Sequence, residues 1–226
     1  MASSEECTAK LPDSSIYKGE CSGGLFHGKG ALKWRDGSSY HGEFKEGLMH
    51  GYGIFTHSAG WTTEGEFSDG AITGDAIYRS DDGDKYIGGY KNDLFDGKGR
   101  FEDKAGNICE GDYVSGRLHG HATCTYISGD SVAGEYINGL LHGKGVAILA
   151  SGDRYVGEFV DGYWEGRGTF EYSDGDKYVG EFSKGKMHGK GIFYYYESGE
   201  EIEGEWVWDK FQNTTPQNCN ILKEPI

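Results

Sequence analysis

The sequence predicts an all-β fold, an elongated single-layer antiparallel meander, on three observations. Glycines recur in three registers with one step of 23 residues. Between them, apolar and polar residues alternate with period two. The only prolines, Pro12, Pro216 and Pro225, lie outside the repeated region. A continuous antiparallel ladder uses every backbone N–H, and proline has none to give.

The first register runs Gly19, Gly42, Gly65, Gly88, Gly111, Gly134, Gly157, Gly180 and, one residue late, Gly204. The second is Gly28, Gly51, Gly74, Gly97, Gly120, Gly143, Gly166 and Gly189. The third, Gly37 to Gly175 and then Gly199, falls between them. Such self-similarity marks a repeat architecture, here eight full repeats plus a half-repeat. In "YHGEF", Tyr40, Gly42 and Phe44 share one face of a strand, while His41 and Glu43 take the other. In "GYGIFTH", Gly53 and Phe55 again share a face. Each unit thus reads as two strands joined by a loop such as "KEGLMH", with a glycine turn leading onward.

About 17 strands follow, and at ~4.8 Å per strand they make a curved trough roughly 80 Å long. Turn glycines supply positive φ. Strand glycines such as Gly42 need another reason, because glycine weakens a strand. The absent side chain leaves room for a ring to lie over the backbone. The chain divides into a flexible segment 1–15, the repeat array 16–209, and a C-terminal tail or cap 210–226.

Composition narrows function. Lys plus Arg number 22 against 37 Asp plus Glu, a formal net charge of −15. That field repels nucleic-acid phosphates and disfavours anionic lipid surfaces. Five cysteines, Cys7, Cys21, Cys109, Cys124 and Cys219, show no paired spacing, and an odd number cannot all pair within one chain. The N-terminal stretch lacks the apolar core of a signal peptide, and no apolar run reaches membrane-spanning length. The expected setting is cytoplasmic and reduced, so the sequon at Asn213 is not expected to carry a glycan.

Signals that imitate chemistry dissolve into the repeat. The "HGKG" phrases open strands, whereas a phosphate loop opens a helix. His119, His121, Cys109 and Cys124 resemble a metal cluster, but His119 fills the recurring slot of His27, His50, His142 and His188, His121 the Lys29 slot, Cys124 the Phe55 slot and Cys109 a tyrosine slot, with His121 and Cys124 on opposite faces. The recurrent acids have a structural use, because folding each hairpin about its loop centre sets Glu20 against Lys29, Glu135 against Lys144, Glu158 against Arg167 and Glu181 against Lys190. No catalytic constellation stands apart from the period. Neither enzyme activity nor a cofactor is expected.

The phrases "YHGEFKEGLMHGYGIF", "YVGEFVDGYWEGRGTF" and "YVGEFSKGKMHGKGIF" resemble the MORN repeat, membrane occupation and recognition nexus, from residue 17 to about 208. Departures gather in the middle. Thr63, Cys109, Val132 and Ile202 replace the tyrosine, and Ala76 and Ala122 replace a glycine, so residues 63–140 should be the least regular.

The resemblance implies a non-catalytic protein-interaction scaffold in a cytoskeletal or ciliary assembly, such as a radial spoke or axoneme, with a myosin-tail-like or other peptide as partner. The alternative is a module contacting membrane phosphoinositides. The expected partner-binding residues are Tyr40, Phe44, Tyr86, Tyr90, Tyr155, Phe159, Tyr178 and Phe182 along the aromatic groove. Trp206 and Trp208 join them at a C-terminal edge left open after the last strand, where residues 202–211 could also form a homodimer contact.

Overall fold

A computed structural model describes residues 5–212, and among them it contains strands and no helix. The chain separates into two units, residues 1–140 and 141–226. In the first lie β1 (Glu5–Lys10), β2 (Ile16–Ser22), β3 (Leu25–Lys33), β4 (Ser39–Lys45), β5 (Leu48–Thr56) and β6 (Thr62–Ser68). They are followed by β7 (Ala71–Arg79), β8 (Lys85–Lys91), β9 (Leu94–Glu102), β10 (Ile108–Val114), β11 (Arg117–Thr125) and β12 (Ser131–Ile137). Each pairs antiparallel with the next, giving a single-layer meander.

The second unit is built the same way. It contains β13 (Leu140–Ile148), β14 (Arg154–Val160), β15 (Tyr163–Glu171), β16 (Lys177–Ser183), β17 (Lys186–Tyr194), β18 (Glu201–Val207) and β19 (Lys210–Gln212). These too pair in chain order.

The three glycine registers have three different causes. The hairpin β2–β3 slips register between Gly19 and Cys21, and Gly28, in the slip, has φ +60°. The same slip recurs at Gly42/Glu43 and Gly157/Glu158, with Gly51 at +57° and Gly166 at +66°. It is a β-bulge that requires a left-handed residue. The turn series serves the tight link between units, as at Gly37, where φ is +96°. The strand series serves close approach. Gly42 faces Gly53 across the hairpin, and a Cβ on either would strike the ring of Tyr40.

That tyrosine is the centre of five of the repeats. Tyr17, Tyr40, Tyr86, Tyr155 and Tyr178 are fully buried. Each Oη donates to the backbone carbonyl three residues on, as Tyr40 does to Glu43 at 3.1 Å and Tyr155 to Glu158 at 2.9 Å. The bulge itself does not depend on the ring, since it persists at Gly65/Glu66, where Thr63 stands in the tyrosine slot.

Several expectations are corrected. Residues 63–140 are as regular as the rest: their strands keep the same alternating lengths and the same bulges. Irregularity there is confined to side chains. The "flexible" segment 1–15 contains β1, which covers the edge of β2, and the tail 210–226 contributes β19. The strand total is therefore 19 rather than 17 among the described residues.

The loops are shorter than "KEGLMH" implied. Glu46 and Gly47 alone make the turn, both with positive φ, as a two-residue hairpin demands. The bulge breaks the pairing within each hairpin, and the basic residues face acids of the next unit across the unshifted strand pairs. Lys29 opposes Glu43, Lys144 opposes Glu158, Arg167 opposes Glu181 and Lys190 opposes Glu205. Within its own hairpin Glu20 instead accepts the backbone N–H of Lys29 at 3.1 Å, while Glu135 faces His121 of the preceding repeat.

The cysteines are a further correction. Cys7 bonds Cys21, linking β1 to β2, and Cys109 bonds Cys124 across β10–β11. Sequence separations of 14 and 15 give no recognisable motif. What pairs them is register: Cys109 and Cys124 occupy the tyrosine and phenylalanine slots, which lie opposite each other. On a chain-entropy account, a loop of this size gives about 3 kcal/mol per bridge. Cys219 and the Asn213 sequon lie outside the described residues.

The ring and its hydroxyl should be separable in stability. Tyr155→Phe keeps the ring and loses the bond to Glu158, and is expected to cost about 0.5–1.5 kcal/mol. Tyr155→Ala also opens a cavity and should cost about 3–5 kcal/mol. Urea unfolding measures both, and equal losses would show that the ring adds nothing beyond its hydroxyl.

Candidate interaction surface

The tyrosines meet their neighbours in a fixed way. Where an aromatic residue stands four positions later, the tyrosine rests edge-on against it. Tyr40 does so on Phe44 and Tyr155 on Phe159, with ring centroids 5.2 Å apart. Each tyrosine also leans on the next unit's counterpart: Tyr40 on Phe67 at 5.0 Å and Tyr155 on Phe182 at 4.9 Å. A third ring stacks flat on the tyrosine where the sequence offers one, as Phe95 does on Tyr86 at 3.7 Å. Edge-on and offset pairs of this kind add about 0.5–1.5 kcal/mol beyond burial.

This packing decides what a partner can reach. Of the ten residues expected to bind, nine are interior: Tyr40, Phe44, Tyr86, Tyr90, Tyr155, Phe159, Tyr178, Phe182 and Trp206 are all buried. Only Trp208, at 45 % exposure, presents its ring to solvent. The edge after the last full strand is covered over Glu205–Val207. The turn at Trp208 and Asp209 returns the chain as β19, which lays Phe211 on Trp206 at 5.3 Å. Trp206 Nε1 donates to the Gly191 carbonyl at 3.4 Å, and Trp208 leans on His188 at 4.8 Å.

The accessible aromatic surface is a second row. In the first unit Trp34, Phe55, Trp61, Tyr78 and Phe95 form a chain of ring contacts 5.3–6.2 Å apart, every ring half-buried. In the second unit Trp164, Phe170, Tyr172, Phe193 and Tyr195 form another, in which Phe170 is buried and the other four rings are partly exposed. Phe55, Phe170 and Phe193 belong to the strand alternation already read from sequence. Trp34, Tyr172 and Tyr195 were missed, though they share a slot just before the turn that recurs with the same step. In the first unit the row borders a groove of about 460 Å³, with Thr63 and Ile72 among its lining residues.

No group of three or more His, Cys, Asp or Glu among the described residues is placed to hold a metal ion. Cys109 and Cys124 are joined to each other, while His121 is exposed and stands 3.8 Å from Glu135.

Comparison with known proteins follows the same geometry. The MORN repeat family matches residues 17–39, 40–62, 64–85, 86–108, 109–131, 133–154, 155–177 and 178–199. No curated protein matches the chain. Among solved structures, the SAS-4 TCP domain of Drosophila melanogaster, in complex with a proline-rich motif of Ana2, is 8 % identical with a TM-score of 0.41. It covers 89 % of this chain and 90 % of its own. A virginiamycin B lyase from Staphylococcus aureus is 12 % identical with a TM-score of 0.19, over 88 % of this chain and 68 % of its own. Neither likeness bears on function.

Burial leaves an electrostatic signature that can be measured. It pushes the phenols of Tyr40 and Tyr178 up to about 12 from an ordinary value of 10.0, and the adjacent carboxylates of Glu43 and Glu181 add to the shift. A raised folded value favours the neutral form in the fold. The stability it carries is intact below pH 10 and is lost as pH climbs from 10 to about 12. Alkaline titration should therefore show buried phenolate appearing together with loss of the circular-dichroism signal. Complete ionisation by pH 10 with the fold intact would contradict this packing.

Proposed function

The chain belongs to the MORN-repeat family, and from that premise we propose that it is a non-catalytic protein-interaction scaffold. Repeats of this family serve as membrane- or protein-binding scaffolds and are generally non-catalytic. The observation that carries the protein-binding reading is the pair of partly exposed ring ladders, Trp34 to Phe95 and Trp164 to Tyr195. Rings in this state add contact area at low entropic cost, as aromatic anchors of interfaces do. The proposed setting is a cytoskeletal or ciliary assembly, with Trp208 as a further contact at the C-terminal end, for a partner or a second copy.

Charge supports a protein partner over a lipid one. A lipid surface is recognised by contiguous basic residues worth about 1 kcal/mol each. Here basic side chains are dispersed among acids: Lys98 pairs with Asp112 at 2.7 Å and Arg100 with Glu110 at 2.9 Å.

Affinity capture from ciliated cells should retain cytoskeletal proteins on the intact chain. Retention should fall on the variants Trp34→Ser, Tyr172→Ser and Trp208→Ser, each of which removes one accessible ring. Undiminished retention on all three would remove the ladders from the binding surface. Flotation with phosphoinositide vesicles runs beside the capture. Salt-sensitive flotation without specific capture would favour the membrane reading.

A further inference from the structure

On the face of the first unit opposite the buried tyrosines, the strand register lines up cations that the sheet does not answer. Lys10 lies beside Ile16, Ile16 beside Lys33, and Lys33 beside Ser39. The row continues through Thr56 and Thr62 to Arg79 and Lys85. From β1 to β8 it carries no carboxylate, over roughly 34 Å at ~4.8 Å per strand. The whole chain has 37 acids against 22 bases, so this row runs against the composition.

The corresponding row of the second unit is built differently. There Ile148, Arg154, Glu171, Lys177 and Tyr194 follow one another across the strands. Arg154 holds Glu171 at 2.9 Å, and Lys177 lies over the Tyr194 ring at 4.7 Å. Each cation finds its partner within the sheet. In the first unit, Lys98, Arg100 and Lys104 also hold carboxylates. Lys10, Lys33, Arg79 and Lys85 form no ion pair among the described residues.

Arg79 and Lys85 stand directly opposite each other. Like charges so placed destabilise a strand pair. On its far side Lys85 faces Glu102, but that carboxylate is held by Arg100 at 2.7 Å. The opposed cations are left to be neutralised from outside.

A hollow opens in the same stretch. Ala31 fills the slot that Ile54, Ile77, Val146 and Ile192 occupy in other units. Its small side chain leaves a space of about 500 Å³ bordered by Lys18, Lys33, Ser39 and His41, with no carboxylate in its wall. Lys18, Lys33 and His41 are exposed, so an anion can reach them from solvent. Hydrogen bonds from ammonium groups to a carboxylate are of the strong, charge-assisted kind.

The row is narrow, and its borders select the occupant. On one side the links between strands carry Asp36, Asp81 and Asp82; on the other stand Glu43, Glu64 and Glu66. A flat anionic membrane laid on this face would meet both borders, and like charge there would repel it. An extended chain can follow the row alone.

We propose that this row is a docking track for an acidic segment of a partner protein, lying extended across β3 to β8. One carboxylate enters the hollow over Ala31, between Lys18 and Lys33, and others neutralise Arg79 and Lys85. The inference rests on the scaffold reading and adds the chemistry of the partner.

From Lys33 to Lys85 the track spans five strand spacings, roughly 24 Å, which about eight extended residues cover. The test therefore adds acetyl-octaglutamate-amide to the full chain and follows backbone amide shifts in NMR. Saturable, salt-sensitive shifts at Ala31, Lys33, Arg79 and Lys85 are expected. The octaglutamine peptide should bind about tenfold more weakly or worse. Lys33→Gln and Arg79→Gln should each weaken binding roughly two- to fivefold, and together about tenfold or more. Lys98→Gln removes an outer cation already held by Asp112 at 2.7 Å and should leave binding within about twofold. Arg79→Gln relieves the opposed pair, so its thermal midpoint should not fall.

An absence of shifts, equal binding of the glutamine peptide, or a loss on Lys98→Gln as large as on Arg79→Gln would each overturn the proposal. Phosphoinositide vesicles form a separate arm. Flotation abolished by the Lys33→Gln, Arg79→Gln pair, with no shift from the glutamate peptide, would make the row a lipid surface and sink the peptide track. None of these variants removes an accessible ring, so affinity capture through the ladders and docking on this track fail separately.

Discussion

The fold depends on a tyrosine ring lying flat over two glycines that face each other across a hairpin. A single-layer sheet has no second layer to cover its apolar face. This protein covers that face with its own rings, which is possible only where the backbone beneath carries no side chain. At Gly53, Gly99, Gly168 and Gly191, any Cβ would collide with the tyrosine of the same unit. The hydroxyl then reaches the carbonyl exposed by the bulge, so the polar end of the ring is satisfied as well. Burial, close backbone approach and hydrogen bonding are one device, repeated.

The departures obey the same constraint. Where tyrosine becomes Thr63, the facing glycine becomes Ala76; where it becomes Cys109, the glycine becomes Ala122. In these two units glycine is replaced where no ring lies above, whereas the unit with Val132 in the tyrosine slot keeps Gly145. Alanine costs less conformational entropy on folding, so nothing holds the glycine in place once the ring is gone. The units of Thr63 and Cys109 are therefore variants of the rule, and the space left at Thr63 belongs to its unit.

Much of this was legible in the sequence because the period is regular enough to align the units by eye. Three glycine registers, the absence of proline and the alternation around Tyr40 and Phe44 carried the meander. What stayed hidden depended on register across strands. The bulge takes Lys29 out of register with Glu20, leaving it to face Glu43 of the next strand, and linear spacing cannot reveal that Cys109 and Cys124 lie opposite each other. Accessibility was hidden for the same reason: alternation places Tyr40 and Phe55 on one face but does not say which ring lies beneath. The tyrosines expected to bind form the interior, and the reachable rings, Trp34, Trp61 and Tyr78 among them, sit toward the turns.

The central claim is that ring and glycine act as a unit, and a double-mutant cycle on Tyr155 and Gly168 tests it most directly. Gly168→Ala should cost about 1–3 kcal/mol in the presence of the tyrosine, as overpacking does. In a Tyr155→Thr background, which copies the third unit, the same change should cost little or stabilise. A coupling energy of about 1 kcal/mol or more is the expected result. If Gly168→Ala costs the same in both backgrounds, the glycine is there for another reason and the account of the fold is wrong.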